Sequence, residues 1–192
     1  MQLRPYQIDG INRIKTQLRQ GAKSCVLVAP TGSGKTVVSS EIMRSAVAKG
    51  SNILFLAHRI ELITQTCDKL SSFDLQHKIY APEKDIRMIT QKQMRKYGKS
   101  RVDPFAKIAV GTVQTVSRRL DKITPPDLII IDETHLAIAN SYQKVRDAFP
   151  KAILIGLTAT PCRLDGRPLG EMFERITVLA TAQEIADMGF LV

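Results

Sequence analysis

Residues 29–36 limit what this chain can fold into more than any other part of the sequence. They read Ala-Pro-Thr-Gly-Ser-Gly-Lys-Thr, follow a short apolar run at 25–29 and precede a segment with a helical pattern. The two glycines let the backbone turn so that successive N–H groups point inward at an anion, and the N-terminus of the next helix adds positive potential. A strand, a glycine-rich turn and a helix in this order predict a phosphate-binding loop.

The polar groups of this loop have separate expected roles. Lys35 is expected to contact the β- and γ-phosphates of a nucleotide, and the Thr36 hydroxyl to ligate Mg²⁺. The rest of the predicted phosphate cradle is formed by Thr31, Gly32, Ser33 and Gly34. The strict pattern begins with Gly where this chain has Ala29, which leaves the cradle itself intact. The alternative interpretation is a glycine-rich turn with an exposed lysine.

Apolar runs and helical patterns alternate along the chain. We expect strands at 25–29, 53–57, 108–112, 128–132 and 153–158, and helices at 5–20, 35–49 and 60–71. Strands that are apolar throughout and alternate with helices predict a three-layer α/β domain with a mainly parallel central sheet. We expect one domain over residues 1–192. Residues 81–107 have a helical pattern around 86–94, but the periodicity is weak and Gly98 and Pro104 interrupt it, so we expect an irregular basic excursion there.

Two adjacent carboxylates end the apolar run Leu-Ile-Ile-Ile at 128–131. Asp132 and Glu133 follow four large apolar residues, and a buried carboxylate requires a partner. Mg²⁺ is such a partner, so Asp132 is expected to hold the metal and Glu133 to polarise an attacking water. The alternative is a strand that simply emerges into solvent at this point. Ligands bind at the carboxyl ends of parallel strands, which is where both motifs fall.

The formal net charge of +10 indicates an anionic partner. Most of the excess lies in residues 84–122, where eleven Lys and Arg residues outnumber three Asp residues. A solvated basic surface is the alternative. The three cysteines are far apart and the N-terminus has no apolar leader, so we expect a cytoplasmic or nucleoid-associated location without a disulfide framework or zinc site.

These motifs together resemble those of the DEAD/DEAH-like superfamily 2 helicases. Residues 132–135, Asp-Glu-Thr-His, are similar to the DEAH-type motif, with Thr in place of Ala. Four other segments resemble family elements in the family's order: 4–7 (adenine-reading element), 57–65 (motif Ia), 110–115 (motif Ib) and 158–161 (motif III). The resemblance implies a RecA-like P-loop NTPase domain that uses ATP and Mg²⁺, with Lys35, Asp132 and Glu133 as catalytic residues.

The resemblance also implies roles for side chains outside the phosphate loop. Gln7 would read the adenine edge, with Arg4 against the base, and the alternative is that both are surface residues of the first helix. Three residues would couple hydrolysis to movement: His135, Thr158 and Thr160. A core histidine and strand-end capping hydroxyls are the structural alternatives for these three.

The wording of motif Ia, Ala-His-Arg with Glu-Leu, is closer to DNA translocases than to RNA helicases. The similar translocases are restriction-enzyme motor subunits, excision-repair helicases and phage helicases. The resemblance implies contacts to the DNA sugar-phosphate backbone from Arg59, Thr112, Gln114 and Thr115. Such contacts give affinity without reading sequence. An RNA helicase lobe and a non-catalytic nucleotide- or nucleic-acid-binding module stay open as alternatives.

The family closes ATP between two RecA-like lobes, and the second lobe supplies arginine fingers. No second P-loop-like sheet follows in this sequence. We therefore expect a first lobe whose partner is a second RecA-like lobe, and weak or absent ATP hydrolysis without it. An unrelated P-loop kinase or GTPase would have to match the acid-pair motif and motif III by accident.

Overall fold

The computed structural model describes residues 3–134, 140–160, 169 and 173–189. Its strands are β1 (Ser24–Val28), β2 (Ile53–Ala57), β3 (His77–Tyr80), β4 (Ile108–Thr112), β5 (Leu128–Ile131), β6 (Ile153–Thr158) and β7 (Arg175–Val178). Its α-helices are α1 (Pro5–Arg19), α2 (Lys35–Val47), α3 (Ile60–Ser72), α4 (Glu83–Tyr97), α5 (Val113–Ser117), α6 (Asn140–Ala148) and α7 (Ala182–Asp187), with a short 3₁₀ turn at Leu120–Lys122.

The seven strands described form one parallel sheet in the order β3-β4-β2-β5-β6-β1-β7. Their carboxyl ends therefore share one edge of the sheet. Along this edge, β5 is followed in one direction by β6 and β1, and in the other direction by β2, β4 and β3. The order decides which loops meet, because only loops that follow neighbouring strands lie side by side.

Each strand sends alternate side chains to opposite faces of the sheet, because the side-chain period of a strand is two. In β2, Phe55 packs into the core that α1 to α4 cover, whereas Leu54 and Leu56 pack into the core under α5 and α6. Strand β5 does the same with Ile130 on one face and Ile129 on the other. The three-layer α/β fold predicted from the sequence is confirmed, and the sheet is parallel throughout.

The predicted elements agree with the structure to within one or two residues. Strands β2, β4 and β6 have the predicted bounds, and β1 and β5 each end one residue earlier than predicted. The glycine that follows α2 is left-handed, with φ of 88° at Gly50. Lys107 donates to the carbonyl of Gly50 over 2.8 Å.

The prediction of an irregular excursion over 81–107 is wrong, because α4 is a regular helix of 15 residues. Two acids in its first turn and two bases in its last turn suit the helix dipole. The helix ends at left-handed Gly98, whose N–H donates to the carbonyl of Met94 over 2.9 Å. Its apolar period was hard to see because a polar residue, Gln93, occupies one of its two fully buried positions, the other being Ile89.

Gln93 ties α4 to the edge of the sheet. Its amide nitrogen lies 3.1 Å from Nε2 of the buried His77 in β3, and its amide oxygen accepts from the backbone N–H of Arg101 and from the Ser100 hydroxyl. The His77 Nδ1 lies 3.0 Å from the carbonyl of Leu75. Burial lowers the pKa of His77 below its usual value. A neutral ring that donates from Nδ1 and accepts at Nε2 satisfies both contacts.

Candidate functional site

The phosphate-binding loop connects β1 to α2 at the carboxyl edge of the sheet. Ala29 donates its N–H to the carbonyl of Thr158 at the end of β6 over 2.8 Å. Gly32 and Gly34 have φ of 82° and 85°, a region that residues with a Cβ rarely adopt. The first helical turn begins directly at Lys35. The predicted strand, glycine-rich loop and helix are therefore found in the predicted order.

Two side chains of α1 hold the back of this loop. The Tyr6 hydroxyl and the Gln7 amide both donate to the carbonyl of Ser33, over 3.0 and 2.9 Å. Gln7 is 3% exposed, and its amide oxygen accepts from the backbone N–H of Arg4. A Cβ on Gly34 would lie 2.5 Å from the Gln7 amide nitrogen. Gln7 thus supports the loop directly, and its contact with an adenine base stays a prediction.

The polar groups at the centre of the loop suit a phosphate ligand. The Lys35 ammonium donates to the carbonyl of Ala29 over 3.1 Å and has no carboxylate within ion-pair distance among the described residues. The Ser33 hydroxyl is buried without a hydrogen-bond partner. Thr36 lies half-buried one residue into the helix. A cation and a buried hydroxyl without anionic partners fit a site completed by phosphate oxygens.

The acid pair lies at the end of β5, two strands away from β1. Asp132 is 9% exposed, and its Oδ1 accepts from the backbone N–H of Glu133 over 3.0 Å. Burial, together with the charge of Glu133, raises the pKa of Asp132 to about 6, although that N–H and Lys35 act in the opposite direction. A carboxylate in this environment is a good ligand for a divalent cation.

The turn after Asp132 is strained and tightly held. Glu133 has φ of 51°, in the left-handed region that glycine favours. The next residue, Thr134, is fully buried, and its hydroxyl lies 3.0 Å from the carbonyl of Ile131 and 3.1 Å from that of Leu157. Thr134 therefore connects the acid-pair turn to β6. A Cβ on Gly156 would lie 2.7 Å from the Thr134 hydroxyl, so the turn after β5 packs closely against β6.

The segment predicted to couple hydrolysis to movement follows β6. The buried Thr158 hydroxyl donates to the carbonyl of Thr160 over 3.1 Å and accepts from its N–H over 3.2 Å. Because the Thr158 carbonyl also accepts from Ala29, this turn is bonded to the phosphate-binding loop. His135, predicted for the same role, lies outside the described residues.

One open cleft of about 550 Å³ brings the separate motifs together. It is lined by Thr31, His58, Arg59, Glu61, Leu62, Glu133 and Ala159. These residues come from the phosphate-binding loop, the acid pair, the turn after β2 and the turn after β6. The cleft thus connects the predicted ATP site with the first of the predicted DNA contacts.

The other predicted DNA contacts lie next to Arg59 on the same edge. Ala57 at the end of β2 pairs with Thr112 at the end of β4. The Thr112 hydroxyl caps α5 and bonds to the Thr115 hydroxyl over 2.9 Å, and Gln114 is exposed. These side chains form a polar surface beside the cleft.

Two supporting residues were missed at the sequence level. Tyr6 stands between Arg4 and Gln7 in the predicted adenine-reading element, and its aromatic ring one residue before Gln7 was a usable signal. Thr134 replaces the family's Ala, and the departure itself was the signal. Among the described residues there is no group of three His, Cys, Asp or Glu side chains positioned to hold a metal. No described helix is long and apolar enough to cross a membrane.

Comparison with known families gives a consistent result. A family profile described as type III restriction enzyme, res subunit, matches residues 1–163. The putative ATP-dependent helicase IRC3 of Saccharomyces cerevisiae is 33% identical over an alignment that covers 98% of this chain and 28% of the relative. The chain spans about a quarter of the length of the curated relatives it matches.

Solved structures share the fold. The UvsW helicase of bacteriophage T4 superimposes with a TM-score of 0.70 at 19% identity, over 93% of this chain and 60% of that one. A nuclease-deletion mutant of the type ISP restriction-modification enzyme LlaGI, in complex with a DNA substrate mimic, also gives 0.70 at 19% identity, over 99% of this chain and 21% of that one. The predicted RecA-like architecture is confirmed.

Proposed function

The chain belongs to the family of the type III restriction enzyme res subunit and is an N-terminal RecA-like domain of the superfamily 2 helicase type; on this basis we propose that it is the ATP-binding lobe of a DNA helicase or translocase. The observation that carries the proposal is the cleft lined jointly by Thr31, Glu133 and Arg59. It joins the phosphate-binding loop with the proposed catalytic acid and one proposed DNA contact. In this role the lobe couples ATP hydrolysis to movement on DNA.

The residues divide the work of hydrolysis by their chemistry. The loop N–H groups and the Lys35 ammonium bind the β- and γ-phosphates. Glu133 orients the attacking water and takes its proton as the bond to the γ-phosphorus forms and the bond to ADP breaks. The half-buried position of Glu133 at the cleft wall supports this role.

Thr36 and Asp132 are the residues that would hold Mg²⁺. A single carboxylate and a hydroxyl suffice, because Mg²⁺ commonly completes its coordination with phosphate oxygens and waters. When bound, the ion neutralises negative charge that develops on the phosphates. The raised pKa of Asp132, caused first by burial, supports this assignment, since a cation would satisfy the buried carboxylate.

DNA is the proposed nucleic acid on which the lobe moves, and it would be bound through its sugar-phosphate backbone. Arg59, Thr112, Gln114 and Thr115 offer one cation and several hydrogen-bonding groups beside the cleft, which suits phosphate and sugar rather than base edges. LlaGI, with the same fold, is a DNA-acting enzyme by its description. A second RecA-like lobe is the proposed partner that would close the cleft and supply arginine fingers.

Nucleotide binding tests the ATP site on the chain itself. Lys35→Ala is expected to weaken Mg-ATP binding by at least about tenfold, because the variant lacks a charge-assisted hydrogen bond to phosphate. Lys49→Ala is the matched control, since Lys49 is exposed just beyond the far end of the same helix. Equal affinities for Lys35→Ala and the control, measured by calorimetry, would contradict the proposal.

Turnover separates the motor from a binding module. ATP hydrolysis is measured without nucleic acid, with duplex DNA and with RNA, on the chain alone and with a second RecA-like lobe supplied. We expect slow hydrolysis by the chain alone and faster, DNA-stimulated hydrolysis when the second lobe is present. Glu133→Gln should abolish this stimulated hydrolysis but keep the affinity for nucleotide. Equal rates for Glu133→Gln and the wild type would favour a non-catalytic module, and stimulation by RNA alone would favour an RNA helicase.

A further inference from the structure

Helix α4 carries a row of cations that the ATP site and the predicted DNA contacts do not use. Residues 84–101, which include most of α4 and the turn after it, hold seven Lys and Arg residues. The structure divides these seven cations into two groups. Four have carboxylate partners: Arg87 with Glu83, Lys96 with Asp68, and Lys99 and Arg101 with Asp74. The remaining three, Lys84, Lys92 and Arg95, are exposed and have no carboxylate within ion-pair distance among the described residues.

The three unpaired cations lie on one side of the helix. Lys84 and Arg95 are eleven residues apart, which places them about 16 Å apart along the axis and only about 20° apart around it. Lys92 lies within about 80° of Lys84 by the same geometry. Exposed Met88 and Gln91 fill the space between them. The three cations therefore lie within an arc of about 80° on one side of the helix, and we call them the α4 ridge (Lys84, Lys92 and Arg95).

The α4 ridge begins near the edge on which the predicted DNA contacts lie. Tyr80 at the end of β3 pairs with Gly111 in β4, one residue before Thr112. α4 begins three residues after Tyr80, so Lys84 stands close to the carboxyl edge, and Arg95 lies toward the opposite end of the helix. Because α4 and α5 cover opposite faces of the sheet, a ligand on Thr112 and Gln114 would have to pass around β3 and would meet Lys84 first.

We propose that the α4 ridge binds the phosphate backbone of duplex DNA and extends the contact surface around the β3 edge. The proposal rests on the proposed function, because it needs DNA at the carboxyl edge. Unpaired, flexible cations in a row match phosphates that carry one charge each. The spacing of Lys84 and Arg95 is comparable with the major-groove width of about 12 Å, given the length of their side chains.

Duplex rather than single-stranded DNA is favoured by what the ridge lacks. Proteins that hold single strands commonly stack bases on aromatic side chains. α4 has one aromatic residue, Tyr97, which is half-buried, and its hydroxyl donates to the carboxylate and the carbonyl of Asp68. The helix therefore offers phosphate contacts without a stacking surface.

The experiment compares two triple variants of the 192-residue chain with the same reduction in charge. One is Lys84→Gln, Lys92→Gln and Arg95→Gln. The matched control is Arg19→Gln, Lys23→Gln and Lys49→Gln, exposed residues at the amino ends of β1 and β2, away from the edge that carries the predicted DNA contacts. Binding to a short blunt-ended duplex and to its single strand is measured by fluorescence anisotropy over a range of salt concentrations, with Mg-ATP affinity as the test of folding and of the ATP site.

The expected result is weaker duplex binding for the ridge variant by at least about tenfold near 100 mM salt. The plot of log K against log salt should be shallower by about 2 to 3, since each phosphate that the protein no longer neutralises reduces the slope by about 0.9. The control should keep the wild-type slope. If the wild type binds duplex DNA and the two triple variants weaken this binding equally, or neither weakens it, the ridge proposal is overturned. The proposed function is left intact in either case.

Two other outcomes are equally decisive. Loss of single-strand binding without loss of duplex binding would overturn the assignment to duplex DNA. A wild-type chain that binds Mg-ATP but no DNA would refute the DNA part of the proposed function, and the ridge proposal with it. Because Mg-ATP affinity is measured in every case, a misfolded variant is recognised and is replaced by the single variant Arg95→Gln.

Discussion

Asp132 is a carboxylate that the fold itself buries. Burial and the neighbouring Glu133 raise its pKa to about 6, whereas an aspartate in the unfolded chain titrates near about 3.9. The folded state therefore holds the proton more tightly than the unfolded state. Between about pH 4 and pH 6 the free energy of unfolding falls as pH rises, by about 3 kcal/mol in all.

Asp132→Asn should remove this destabilisation. Without Mg²⁺ and nucleotide, we expect the variant to be more stable than the wild type by about 2–3 kcal/mol above pH 7, and the difference to vanish toward pH 4. Urea unfolding at several pH values measures it. A difference that is the same at every pH would mean that Asp132 is not a buried, destabilising charge.

Thr134 provides a second test at the residue scale. Thr134→Val keeps the shape but removes the hydroxyl that contacts the carbonyls of Ile131 and Leu157, so we expect stability to fall by about 1–3 kcal/mol. Thr134→Ser keeps the hydroxyl and is less stable by about 1 kcal/mol through the missing methyl group. If Thr134 orients the acid pair, Thr134→Val binds Mg-ATP more weakly than the wild type, whereas Thr134→Ser keeps the wild-type affinity. Equal affinities would limit Thr134 to a structural role.

At the scale of elements, Gln93 links α4 to the sheet. Gln93→Ala leaves the Arg101 N–H and the His77 ring without their partner, and we expect stability to fall by about 2–3 kcal/mol. Amide hydrogen exchange should accelerate in α4 more than in α2. Gln91→Ala is the matched control, since Gln91 is exposed on the same helix, and its effect should stay within about 0.5 kcal/mol. Uniform acceleration in both helices would contradict this account.

The sequence predicted these elements unevenly, for identifiable reasons. A strand such as β2 is apolar throughout because both of its faces are buried, so its bounds were clear. α4 was missed because a buried glutamine interrupts its apolar stripe. β3 and β7 were missed because they are edge strands of four residues, and half-exposed side chains such as Ile176 and Val178 blur their pattern.

The residues of the candidate site were easier to nominate from the sequence than the residues that support them. Lys35, Asp132 and Glu133 belong to short local motifs, and their roles stay predictions. The bonds from Tyr6 and Gln7 to the carbonyl of Ser33 join residues 26 or more positions apart. Such contacts depend on how α1 packs beside the loop after β1, which a single sequence does not give. The bond from Thr134 to Leu157 likewise depends on β6 lying beside β5.

For the whole molecule, metal removal tests how the two halves of the ATP site depend on each other. Saturating Mg-ATP should stabilise the folded chain by about 1.4 kcal/mol for each tenfold excess over Kd. Chelating Mg²⁺ should remove most of this, because Asp132 and Glu133 would then face the triphosphate with like charge. Thermal unfolding with ATP, with and without EDTA, measures the effect. Stabilisation by ATP that EDTA does not alter would contradict a metal site at Asp132.

The left-handed turn at Glu133 has a consequence for how this protein can vary. At this positive φ, a residue with a Cβ lowers the free energy of unfolding by about 1 kcal/mol, and glycine would relieve that strain. Under the proposed role of Glu133, Glu133→Gly would therefore give a chain that unfolds at a higher temperature but does not hydrolyse ATP. Stability and catalysis would then place opposite demands on this one position.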